Sequence, residues 1–568
     1  MLSTLAIFIG AQFAALATGT PAAQVDELFA QWARPDTPGC ALGVIQDGEW
    51  LLKRGYGMAN LEHGIPNTSE TVFRIGSLSK HFTGMAILLL QQQGLLSLSD
   101  DIRRFLPELP EYEKPIQVSD LMYHTSGLRH YLTLLEMQGL RPRDGATTAE
   151  ALGLLARQRT LNNVPGQTYL SSDTGYFLFS VIVERASGLS LREFAQKHIF
   201  EPLGMRDTHF HDDLRHVVEN RADGHSPRPN GPGYQLDNEN TLDVVGDGGI
   251  MTTVEDMLTW ERNFLDDRLG ADDALMEAFH RRGVTSQGEQ LQHAAGIFVE
   301  HYRGVPAVHY SGGWVGFMSY MIRLPEQRFA VVCLCNVNAV RPYHLARDVV
   351  DIYLGETLPE PKRFVAPATG ATARVSPARL RQWAGFYENR ALNQVWRVVS
   401  GSEGLTIEDD YSTYDAVAAG GDEFHSTNTR YLIRFLFSQD PGDQARLRIE
   451  RTGLDHYLEP RDGGVLELTR LEPMTLAESD VDQYLGRYWS EEIDVAYQLI
   501  EDDDVLFMRH ENPHRSYFTN QLVAIAPVRF RATPTNFTFV RGQGGEITGV
   551  LLFDRHYVRG LLLARTAE

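Results

Sequence analysis

Apolar and polar positions change their period several times along this chain, and the changes predict its architecture. Cys40 to Gln46 and Glu49 to Gly55 read as two strands joined at Asp47-Gly48, a dipeptide suited to the left-handed backbone of a tight hairpin. From Ser77 the apolar residues Phe82, Met85, Ala86, Leu88, Leu89 and Leu90 recur at helical spacing, which predicts a buried helix to Gln93 with Gly94 as its stop. Further helices are predicted over Val118 to Tyr123, over Thr174 to Ala186 before Gly188, and over Thr253 to Phe264 after the glycine-rich stretch 246–249. Extended runs return at Ala307 to Tyr310, Gly316 to Leu324 and Arg328 to Asn336, with Pro325-Glu-Gln327 as a turn. Strands first, helices in the middle and strands last imply an α+β domain over residues 24–355: an antiparallel sheet closed from both chain ends and flanked by helices.

Residues 356–377 are rich in Pro, Ala, Thr and Gly, have little to bury, and read as a linker. Beyond them the period shortens to alternating strands, among them Tyr431 to Phe437, Arg446 to Arg451, Phe537 to Arg541 and Gly549 to Phe553. Leu380-Arg-Gln-Trp-Ala-Gly-Phe-Tyr387 and Val481-Asp-Gln-Tyr-Leu-Gly-Arg-Tyr488 match at an offset of 101 residues, and each opens a stretch of similar all-β texture. The expectation is two tandem antiparallel β-barrels, over residues 378–475 and 476–568.

Composition narrows the partners. With 52 Lys plus Arg against 74 Asp plus Glu, the net charge of -22 argues against nucleic acid and against an anionic membrane surface, and favours a small-molecule or peptide substrate. Residues 2–17 carry no charge and Ala15-Leu16-Ala17 offers a cleavage site, so residues 1–23 read as a secretory signal, although a basic n-region is lacking. A periplasmic or secreted protein is therefore expected, with no spanning membrane segment beyond the signal. Oligomeric state is not legible. Cys40, Cys333 and Cys335 are too few for a disulfide framework and are read as small core residues, with a bridge from Cys40 to Cys333 or Cys335 as the alternative. No metal or other cofactor is expected.

The candidate chemistry starts at Ser77-Leu78-Ser79-Lys80. Residues three apart share one helix face, so the Lys80 amine can lie against the Ser77 hydroxyl while free N–H groups at the helix start face a developing oxyanion. Alone, the four residues fit a capping serine followed by a solvated lysine better, since that pairing occurs in many helices. Further landmarks follow in order: His124-Thr-Ser-Gly-Leu128, Pro165-Gly-Gln-Thr-Tyr-Leu-Ser-Ser-Asp-Thr-Gly-Tyr176, Gly246-Asp-Gly-Gly249 and Tyr310-Ser-Gly-Gly-Trp-Val-Gly-Phe317.

With Phe73-Arg-Ile-Gly-Ser-Leu-Ser-Lys80, this series resembles the serine β-lactamase and penicillin-binding-protein superfamily, in the branch of class C β-lactamases, D-aminopeptidases, DD-peptidases and related esterases. The resemblance implies Ser77 as acylated nucleophile and Lys80 as its base or hydrogen-bond partner. It places the third family motif on Tyr310, Ser311 and Gly312, with Gly312 admitting the substrate backbone and the Gly313 N–H joining that of Ser77 as oxyanion donor. Tyr310 stands where the family has Lys or His, and His309 should point to the opposite face. The family's Y-x-N motif falls on Ser171-Ser172-Asp173, so a phenol becomes a hydroxyl and an amide becomes a carboxylate. Asp173 beside Lys80 favours the charged amine. Tyr169 and Tyr176 are read as packing residues, His124 as structural and Asp247 as a turn residue.

The resemblance thus implies a serine hydrolase acting through an acyl-enzyme on D-amino-acid amides or peptides, or related esters. The alternative is a catalytically weak peptidoglycan- or peptide-binding protein on the same fold; scaffolding through the barrels is a third reading. In D-aminopeptidases a barrel loop selects for a free amine, and the acidic run Glu501 to Asp504 is either such a loop or a solvated turn.

Overall fold

The computed structural model describes residues 19–566, apart from 141–144, 239–243, 267, 270–272, 360–374, 391–393, 410–411, 428–431, 440–443, 453–464, 472–477, 503–504, 513–520, 527, 533–534 and 555–556. Most of the expected signal and linker, and half of the acidic run at 501–504, lie outside these residues.

The first part of the chain forms helix α1 (Pro21–Leu28), strands β1 (Cys40–Gln46) and β2 (Glu49–Tyr56), and helices α2 (Lys80–Gln92), α3 (Val118–Met122), α4 (Tyr131–Met137), α5 (Thr174–Ser187) and α6 (Val254–Asp266). Strands β3 (Phe298–Tyr302), β4 (Val305–Trp314), β5 (Phe317–Leu324) and β6 (Phe329–Cys335) and helix α7 (Pro342–Leu354) complete it. The six strands form one sheet in the order β3-β4-β5-β6-β1-β2, every pair antiparallel. The first strand thus pairs with the last, Cys40 opposite Cys335, as a sheet closed from both chain ends requires. Alternation along β1 serves two cores: Ala41 and Ile45 join α2, α5 and α6 on one face, while Leu42 and Val44 join α1 and α7 on the other. At the β1–β2 hairpin, Asp47 and Gly48 take the expected positive φ angles of 53° and 77°.

Two expectations are corrected. Cys40 and Cys335 form a disulfide across β1 and β6, with Cα atoms 4.0 Å apart, and only Cys333 stays a free buried thiol. Residue spacing could not reveal this, because the partners meet only once the sheet closes. Ser77 also does not open an α-helix: residues Gly76–Ser79 make a 3-10 turn and α2 begins at Lys80. Gly76 has a φ of +53°, and a β-carbon there would sit 2.7 Å from the Gly313 nitrogen, so the close approach of β4 sets the tighter turn.

Each C-terminal region is a closed eight-stranded antiparallel barrel, the first built from strands between Gly385 and Leu471, the second from strands between Gly486 and Thr566. The repeated octamers do the same work in both. The Tyr387 hydroxyl donates to the Trp383 carbonyl at 2.9 Å and the Tyr488 hydroxyl to the Tyr484 carbonyl at 2.5 Å. Arg470 and Arg565 donate to the carbonyls of Gln382 and Gln483, each closing its barrel beside a positive-φ glycine, Gly385 or Gly486. The second barrel packs on the helical side of the first domain, where its core is continuous with that of α2, α4 and α5. No helix among the described residues is long and apolar enough to cross a membrane.

Candidate active site

Within an otherwise buried stretch from Thr71 to Leu90, Ser77 alone is partly exposed. Ser79 fixes the turn that presents it: the Ser79 hydroxyl donates to the Gly76 carbonyl at 2.7 Å and accepts from the Ile250 N–H at 3.0 Å. One turn on, the Lys80 side chain is 2% exposed, and its Nζ has three acceptors: Ser77 Oγ at 2.9 Å, Asp173 Oδ1 at 2.7 Å and the Asp247 carbonyl at 2.9 Å. Three acceptors match the three protons of an ammonium group. The same glycine-rich turn is pinned to α2 by Thr83, whose hydroxyl donates to the Gly246 carbonyl at 2.7 Å.

Asp173 stands at the N-cap position of α5 without a side-chain capping bond, its carboxylate 28% exposed. Burial by itself would raise its pKa, but the Lys80 charge and a hydrogen bond from His130 outweigh burial and hold it well below the usual carboxylate range. The second oxygen, Oδ2, lies 3.0 Å from His130 Nε2. Asp247 is pushed the other way, to about 6, by burial and by the nearby Asp173 charge, and accepts a hydrogen bond from the Tyr131 hydroxyl at 2.9 Å. One carboxylate is therefore held ionised beside the amine while its neighbour is held closer to neutrality.

The opposite wall is β4. A β-carbon at Gly312 would stand 1.8 Å from the Ile75 carbonyl oxygen, so only glycine lets the strand lie this close to the Ser77 turn. The Ser319 hydroxyl on β5 donates to that same carbonyl at 2.7 Å and ties both layers together. Ser311 is partly exposed and Gly313 exposed at the strand's end, beside Gly76. Tyr310 is 5% exposed and packs in an aromatic layer, stacked on Phe298 at 5.3 Å and edge-on to His81 and His293. His309 points to the far face as alternation requires, with its Nε2 2.8 Å from Glu300 Oε1.

Ser77, Lys80 and Asp173 thus share hydrogen bonds, and Gly312 and Gly313 border them. Ser171 is exposed in the loop preceding α5. His124 takes a positive φ of 57°, accepts from the Ser172 N–H at Nδ1 (3.2 Å), and receives the Leu170 N–H on its carbonyl (2.8 Å); it shapes the loop that delivers Asp173. Burial and the Lys80 charge lower its pKa to about 3, so it is neutral at working pH. Tyr176 lies under Lys80, with Nζ 5.8 Å from the ring centre, and Tyr169 packs edge-on to His124. Among the described residues, one trio brings metal-capable atoms together, Cys40, Cys333 and Cys335, and two of those sulfurs form the disulfide. Sequence reading missed His130 and its neighbours Arg129 and Tyr131; the only trace was a His-Tyr pair two residues after the His124 to Leu128 landmark.

A serine hydroxyl on a lysine one turn away, facing a glycine strand of a helix-flanked antiparallel sheet, defines a serine hydrolase of the β-lactamase-related type. The chain belongs to the beta-lactamase family, whose family model matches residues 25–356. It is 26% identical over 535 residues to a D-aminopeptidase of Cereibacter sphaeroides, covering 91% of this chain and 93% of that protein. To a D-aminopeptidase of Brucella anthropi it is 24% identical over 554 residues, covering 94% and 95%. The structure of the octameric penicillin-binding protein homologue from Pyrococcus abyssi shares the fold, with a TM-score of 0.54 at 20% identity over 87% of this chain and 98% of that one.

Proposed function

We propose that this chain hydrolyses amides or short peptides of D-amino acids through an acyl-enzyme on Ser77. The observation that carries the reading is the Lys80 amine, hydrogen-bonded at once to Ser77 and Asp173. Likeness to D-aminopeptidases across both barrels, and not over the first domain alone, supports the substrate class.

In acylation the Ser77 oxygen bonds to the substrate carbonyl carbon. Its proton passes to Lys80 Nζ as Lys80 yields one to the leaving nitrogen. The carbonyl oxygen turns toward the N–H groups of Ser77 and Gly313, where each donor lowers the barrier by about 3 kcal/mol. Asp173 stays ionised and balances the Lys80 charge while the C–N bond breaks. Water then repeats the sequence on the ester and restores Ser77. Tyr310 in place of a cationic residue removes the partner a β-lactam carboxylate would use, which favours amides over β-lactams. The Cys40–Cys335 disulfide suits an oxidising compartment and supports a periplasmic or secreted location.

Steady-state assays on matched D- and L-aminoacyl amides, short esters and nitrocefin test this. A kcat/KM at least about tenfold higher for the D-amides is expected. Equal rates for both enantiomers, or nitrocefin as the preferred substrate, would refute it, and tight binding of D-amides without turnover would favour the binding-only alternative.

A further inference from the structure

The His130 imidazole is held at both nitrogens and on one face. At its Nδ1 it accepts from the Thr133 N–H at 3.3 Å, as N-cap of α4, with the Thr133 hydroxyl also within 3.0 Å. A ring nitrogen that accepts carries no proton, so the ring's N–H is at Nε2 and donates to Asp173 Oδ2 across 3.0 Å. One face of the ring is covered by Tyr557 of the second barrel, stacked at 4.5 Å with planes 27° apart. The His130 backbone N–H donates to the Tyr557 carbonyl at 3.0 Å. Next in sequence, Arg129 is fully buried and clamps the same barrel, pairing with Glu492 and donating to the carbonyls of Arg559 and Gly560.

These contacts form an unbroken path: Tyr557, His130, Asp173, Lys80, Ser77. Where the family's amide has its own donor and acceptor, a carboxylate has two equivalent oxygens and no donor, so nothing in Asp173 itself keeps one oxygen on Lys80. A donor fixed at the other oxygen does. We propose that His130, held in place by Tyr557 of the second barrel, is a positioning residue that aims Asp173 at Lys80 and so makes that barrel part of the machinery that activates Ser77. The proposal rests on Ser77 and Lys80 being the acylation pair.

The test uses the full chain and a fluorophosphonate probe, with which the Ser77 oxygen bonds to phosphorus, the P–F bond breaks, fluoride leaves and the hydroxyl proton passes through Lys80 to solvent. The maximal inactivation rate and the probe's binding constant are measured separately, and melting temperature confirms folding of each variant. His130→Ala should slow inactivation by about 10- to 100-fold with the binding constant little changed, since misplacing a reacting group by about 1 Å costs that much. His130→Gln, which keeps a donor, should recover at least about tenfold of that loss. In an Asp173→Asn background, where the amide supplies its own donor, adding His130→Ala should slow inactivation by less than about twofold. Tyr557→Ala should slow the wild-type enzyme by at least about threefold, and Tyr557→Phe should not.

An inactivation rate for His130→Ala within about twofold of wild type, or an equal loss in the wild-type and Asp173→Asn backgrounds, would overturn the proposal while leaving Ser77 as nucleophile. Failure of the wild-type protein to take the probe on Ser77 would instead overturn the underlying reading.

Discussion

The two barrels are built alike and used differently. Tyr387 and Tyr488 make the same hydrogen bond to a carbonyl four residues back, and each faces an aromatic partner on the next strand, Trp396 in the first barrel and Tyr497 in the second. Trp396 stays inside its barrel, stacked on Tyr414 at 5.8 Å. Tyr497 instead donates its hydroxyl to the Met137 carbonyl at the end of α4. The first barrel's main core is its own, whereas that of the second is continuous with the core around α2 and α4. It touches the second barrel through Val395, Leu471 and Ile525 and an ion pair of Glu388 with Arg529. A duplicated fold supplies the shape, and at one matched pair the side chain packs inside the first barrel, as Trp396, and bonds to the end of α4 from the second, as Tyr497.

The sharpest way to break this contrast is Glu492→Ala, which leaves the fully buried Arg129 without its counter-charge and should destabilise the protein by about 3–5 kcal/mol in denaturant titration. Reduction of Cys40–Cys335, which closes a loop of 295 residues within the first domain and touches neither barrel, should cost about 2–5 kcal/mol and leave the Arg129 clamp intact. Tyr387→Phe and Tyr488→Phe should each cost about 1 kcal/mol; equal values would show that the internal bond is a shared element of the fold. Smallest of all, Glu491→Ala removes a partner of Arg159 at the exposed rim of the second barrel's contact, where both side chains are more than half exposed, and should change stability by less than about 1 kcal/mol.

Legibility in the sequence followed the range of the interactions. The β1–β2 hairpin, the helix after Lys80 and the return of strands β4 to β6 are written in local periodicity, and the glycine needed at 312 is visible because a close approach tolerates nothing larger. The barrels were readable because the octamer repeats. What was not legible depends on distant segments meeting: the disulfide between first and last strands, the 3-10 turn imposed on Ser77 by β4, and above all His130. Asp173 stood out as a departure from its family, but the residue that accommodates it lies 43 positions away and is held from 427 positions further on. No spacing rule connects them.

One hydroxyl carries the chemistry. Peptide mapping by mass spectrometry after exposure to a fluorophosphonate should find one adduct per chain, on Ser77, and none after Ser77→Ala. An adduct on another residue, or amide turnover that persists in Ser77→Ala, would contradict it.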